Sequence, residues 1–141
     1  MNLWQEFLLR GLSRVRVVHR LPGRVRLHVP LLGHVPEPWR ATLTIIEQIL
    51  IMPEGISEVR IEPRTGNVLI IYNTTLLMEK EILETLRAVL AWARKHHEQL
   101  VHLTPQDAQT MLACFKKACA QGIGPHLAEL LEKELPHAFW T

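Results

Sequence analysis

Between residues 14 and 29 the chain alternates basic and aliphatic side chains. Val15, Val17, Val25, Leu27 and Val29 fall on one parity, and Arg14, Arg16, Arg24, Arg26 and His28 on the other. A period of two marks strand with one buried and one wet face, so the pattern predicts two antiparallel strands with a basic outer surface. Leu21-Pro22-Gly23-Arg24 supplies the bend between them. Proline presets φ at one central turn position, and glycine accepts the positive φ of the next.

Along the rest of the chain the period is that of a helix or again two. Trp4, Phe7, Leu8 and Leu12 recur at helical spacing and predict a short amphipathic helix over residues 2–12, ending near Gly11. It can lie on the domain or on a membrane surface, and its length favours the domain. A proline-punctuated loop, Pro30 to Pro38, contains His34. Pro38-Trp39 then opens a helix to about Leu50, with Trp39, Leu43, Ile46, Ile49 and Leu50 as its buried stripe. Met52-Pro53-Glu54-Gly55 stops it. In Ile56 to Glu62, Val59 and Ile61 oppose Glu58, Arg60 and Glu62, and a turn over Pro63 to Asn67 leads into Val68–Tyr72. This second hairpin ends in a strand that is apolar on both faces, which implies a covered position or a surface awaiting a partner. A long helix is predicted from about Leu77 to Leu100, carrying Ile82, Leu86, Val89, Ala93 and Leu100 on one side. Thr104-Pro105-Gln106-Asp107 signals another start, with Ala108, Met111, Leu112 and Phe115 facing inward. Gly122 to Pro125 breaks that helix, and a last one runs from His126 to about Leu135.

Composition sharpens this picture in one respect. The 141 residues are 48% hydrophobic and 21% charged, enough for one domain with a buried core. Net charge is only +2, yet residues 1–30 hold six arginines against one acid, Glu6. The basic character is therefore a patch, and patches point to partners. No run approaches the roughly 18 apolar residues of a membrane span, and the start lacks the apolar core of a secretory signal, so a cytoplasmic address is expected. Two cysteines, Cys114 and Cys119, are too few for a disulfide framework. On one helix they point about 140° apart, which disfavours both a bridge and a chelate.

The order strand, helix, strand, strand, helix, with Pro22-Gly23-Arg24-Val25-Arg26-Leu27 at its head and Pro63-Arg64-Thr65-Gly66-Asn67-Val68 later, resembles the heavy-metal-associated (HMA) domains. The likeness is to their cysteine-less second type and covers residues 15 to 92. It implies an α+β ferredoxin-like sandwich, two helices over a four-stranded antiparallel sheet. The family's fourth strand would follow the second helix, where this chain has no strand pattern. Val15 to Arg20, pairing beside Arg24 to Val29, is expected to fill that edge, so the order becomes ββαββα. The expected divisions are an N-terminal helix over 1–13, the HMA-like domain over 14–102 and a helical extension over 103–141.

Metal-carrying relatives grip soft cations with a Cys-x-x-Cys pair after the first strand, because two thiolates three apart can share one ion. The corresponding loop here, His28 to Trp39, has no cysteine, and its candidate ligands are His28 and His34. His96 and His97 point about 100° apart on a helix, and with His102 they read as surface or helix-terminal histidines. Cys114 reads as a small core residue, although Lys116 and Lys117 lie near it in sequence. No triad, P-loop or dinucleotide fingerprint appears, so the chain is expected not to be an enzyme.

The arginines are the remaining candidate. Arg14, Arg16, Arg24 and Arg26, with Arg20 and Arg60, are expected in rows on the uncovered side of the sheet, where guanidinium groups take phosphate, anionic lipid or acidic protein. Sheets that read RNA carry stacking aromatics there, and Tyr72 is the single aromatic in any predicted strand, so nucleic acid ranks below protein. The C-terminal helices, acidic at Glu129, Glu132 and Glu134, could fold across this face in the same chain or a twin. Two functions follow. The first is a non-enzymatic accessory or regulatory module in metal handling, the metal link coming from the resemblance alone, with no cofactor expected beyond a possible transition metal. The second is an assembly module binding a partner protein, a membrane surface or itself.

Overall fold

Alternation builds the expected ribbon: β1 (Arg16–Leu21) pairs antiparallel with β2 (Arg24–His28) around Pro22-Gly23. Gly23 has φ 75°, and a Cβ there would stand 2.8 Å from the Tyr72 carbonyl oxygen, so both conformation and space require glycine. The computed structural model describes residues 15–30, 32, 40–121, 129, 131 and 133. The predicted helix over 2–12, the loop with His34, the Pro38-Trp39 helix start and most of the last helix lie outside the described residues.

The second hairpin, β3 (Ile56–Glu62) and β4 (Asn67–Tyr72), completes a four-stranded antiparallel sheet in the order β1-β2-β4-β3. β1 thus occupies the edge beside β2, and among the described residues no strand follows β4. The central strands β2 and β4 join through Val25↔Ile70 and Leu27↔Val68, all four side chains at most 1% exposed. Burying each aliphatic side chain of this kind contributes about 1.5–3 kcal/mol. The covering layer is α1 (Arg40–Leu50), which buries Leu43, Ile46, Ile49 and Leu50, and α2 (Glu79–Lys95), which buries Ile82, Leu86, Val89 and Ala93. These are the stripes that the helical spacing predicts. The result is an α+β sandwich with a helical layer on one side of the sheet.

Two helical expectations are corrected. The long helix does not run unbroken to Leu100: it starts at Glu79, where Glu81 Oε1 accepts from the Met78 N–H at 2.9 Å, and ends at His96. A separate turn, α3 (His97–Val101), follows. Seventeen residues of helix already span about 25 Å, the full length of the strands, so a straight continuation would carry Leu100 past the sheet. The break folds Leu100 back to 3% exposure. It also buries His96, whose ring lies tilted against Trp92 at 5.6 Å, so of the two expected placements this histidine takes the helix-terminal one, as the C-cap of α2, and not a surface one.

The second correction concerns α4 (Pro105–Gln121), capped as predicted by Thr104 Oγ1 accepting from the Asp107 N–H at 3.1 Å. It does not cross the basic side of the sheet. It packs against α1, with Phe115 edge-on to Trp92 of α2 at 5.0 Å, and Leu131 beyond it is also buried. Met111, Phe115 and Cys119 form an apolar stripe, and the helical layer offers apolar surface where the outer sheet face offers guanidinium groups.

Candidate functional site

Directly opposed residues in an antiparallel sheet share a face, so the register lays out the uncovered side of this sheet position by position. In spatial order across the sheet its rows read Leu21, Arg24, Ile71, Glu58, then His19, Arg26, Leu69, Arg60, then Arg16, His28, Asn67, Glu62. Four arginines face two glutamates here, and Arg16, Arg24, Arg26 and Arg60 are exposed. Leu69 and Ile71 stand in the middle, half-buried between them. They are the outward residues of the strand whose sequence is apolar on both faces. Arg60 leans on Glu58, with Nη2 to Oε1 at 3.1 Å. Among the described residues Arg24 and Arg26 make no ion pair.

Arg20 does not belong to this set. The register slips between Val17 and His19, and the extra residue, Val18, forms a bulge that reverses the facing of everything after it. Arg20 therefore pairs with Val25 on the helix side, where its Nε meets Glu79 Oε1 of α2 at 3.1 Å. Tyr72 stands nearby: burial and the Glu79 carboxylate push its hydroxyl up, and Arg20 pulls it partly back. The same slip turns His19 and Leu21 outward, which strict alternation from Arg16 does not foresee. Arg14 lies outside the described residues.

Of the two metal candidates the structure describes one. His28, the last residue of β2, donates from Nδ1 to Asn67 Oδ1 at 3.0 Å, and His34 lies outside the described residues. Among the described residues no three His, Cys, Asp or Glu side chains gather as a metal site would need. Cys114 is half-buried instead of core, and Cys119 is the buried one. Burial pushes the Cys119 thiol up to about 11, which holds it protonated at neutral pH. The donors described here do not fit a bound heavy metal.

Fold and face together define a small α+β sandwich module with an open, arginine-bearing sheet surface. The chain belongs to the family described as heavy metal associated domain 2, whose model matches residues 5–120. The match runs through α4, well beyond the 15–92 of the sequence resemblance. Among curated proteins and solved structures none matches the chain. No helix of the described residues is long and apolar enough to cross a membrane.

Proposed function

We propose that the chain is a non-enzymatic accessory module of metal handling that works by binding a partner protein through its outer sheet face. Family membership supports the link to metal. The contact mode rests on the register that gathers Arg16, Arg24, Arg26 and Arg60 on one side of the sheet, away from α1, α2 and α4. The face's twelve positions hold no Phe, Tyr or Trp, the large rings on which base-reading sheets stack single-stranded bases, and this ranks protein above nucleic acid. In this reading the metal is the partner's cargo.

The chain used as bait against a lysate of its source cells is expected to hold a partner that is released by moderate salt and lost with Arg24→Glu plus Arg26→Glu. Recovery of the same proteins by wild type and variant would end the reading. A parallel titration with zinc, nickel, copper and iron tests the alternative, and stoichiometric binding abolished by His28→Ala would replace a contact role with metal carriage.

A further inference from the structure

We propose that the outer sheet face binds an amphipathic helix of the partner, one whose apolar stripe is bordered by Asp or Glu on the side that meets β2. This rests on the partner-binding reading above and names what that face takes. Leu69 and Ile71 form a short apolar line along β4, with Arg24 and Arg26 of β2 on one side and, on the other, Glu58, Arg60 and Glu62 of β3, where Arg60 is paired with Glu58. Two inter-strand gaps separate Arg26 from Arg60 across Leu69, about 10 Å, which is the width of a helix with its side chains. Along β4, Leu69 and Ile71 stand about 7 Å apart, close to the 6 Å step between positions i and i+4 of a helix. A helix lying along β4 thus sets its apolar ridge on Leu69 and Ile71 and carries the carboxylates of one border to Arg24 and Arg26.

The other occupants fit less well. A second copy docking by the same face would bring four arginines and two glutamates against an identical set, leaving like charges opposed. A bilayer is flat, whereas the two aliphatic side chains are half-buried among longer arginines, so a ridge reaches them and a plane does not. Base stacking would find no Phe, Tyr or Trp on this face.

The test uses the full chain and a fluorescent synthetic helix of about 20 residues with a leucine stripe and glutamates along one border. Its controls are a lysine-bordered twin and a glutamate version broken by proline. Anisotropy is expected to show the intact glutamate helix binding at least about tenfold tighter than either control. Leu69→Ser with Ile71→Ser is expected to lose about tenfold while the thermal melt stays cooperative, and Arg24→Glu with Arg26→Glu to shift preference to the lysine helix. Equal binding of the proline-broken peptide would overturn the inference, because the face would then read charge alone. So would phosphatidylserine vesicles that displace the helix with the same arginine dependence, or self-association as the sole binding observed. If a cellular partner is captured through Arg24 and Arg26 while the glutamate helix does not bind, this inference falls and the partner reading stands; capture indifferent to those arginines ends both.

Discussion

At the scale of single residues, surroundings decide what a side chain does more than its type does. Arg16, Arg20 and Arg24 look alike in the sequence, yet the Val18 bulge sends Arg20 to Glu79 on the helix side and leaves the others in the open. Cys114 and Cys119 differ in the same way. A thiol reagent at pH 8 is expected to modify Cys114 in the native chain and Cys119 only after unfolding. Because the folded state holds the Cys119 proton more tightly, the stability this group contributes is complete below its ordinary pKa of 9.0 and is lost as pH rises toward about 11. Urea midpoints should therefore fall more steeply between pH 9 and 11 for wild type than for Cys119→Ala. Parallel curves would mean that the thiol is not held as its burial implies. The chain order places both cysteines on one helix, and which of them faces the core emerges from how α4 docks.

At the scale of elements, β3 is an edge strand with a backbone row that invites pairing with other chains. Glu47 of α1 closes part of it: its Oε1 accepts from the Ile61 N–H at 2.6 Å. Glu47→Ala leaves that amide without a partner and is expected to destabilise the fold by about 1–3 kcal/mol and to promote concentration-dependent association. Glu47→Gln keeps an oxygen acceptor and should behave close to wild type. Denaturation curves with light scattering check both, and an alanine variant that stays monomeric and fully stable would show that the edge needs no cap. This device joins residues 14 apart through tertiary packing, so no local pattern announces it. The strands and α1, α2 and α4, by contrast, follow from period and caps, because each must bury one face in one core.

At the scale of the whole molecule, one core spans the sheet, α1, α2 and α4, with Trp92 and Phe115 among its largest fully buried side chains. Phe115→Ala is expected to cost about 3–5 kcal/mol in the single cooperative transition of the whole chain. A loss below about 1 kcal/mol with the sheet melting unchanged would mark α4 as a loosely attached satellite. The attachment matters to the proposed function, because α4 settled on the helical layer leaves the arginine face without a cover from this helix.

Alternation, helical spacing and the Pro-Gly and Thr-Pro punctuation by themselves determined two hairpins, the amphipathic helices and the parity that sets valine and leucine against arginine, since these follow from burying one side of each element. The edge place of β1 was also legible, because the chain has no strand pattern after its second long helix to take that place. Tertiary structure alone decided the bulge that reassigned Arg20, the break at His96, the side on which α4 rests and the stopper that Glu47 provides for β3. Each of these depends on which distant surface a segment meets, and distance along the chain carries no record of that meeting.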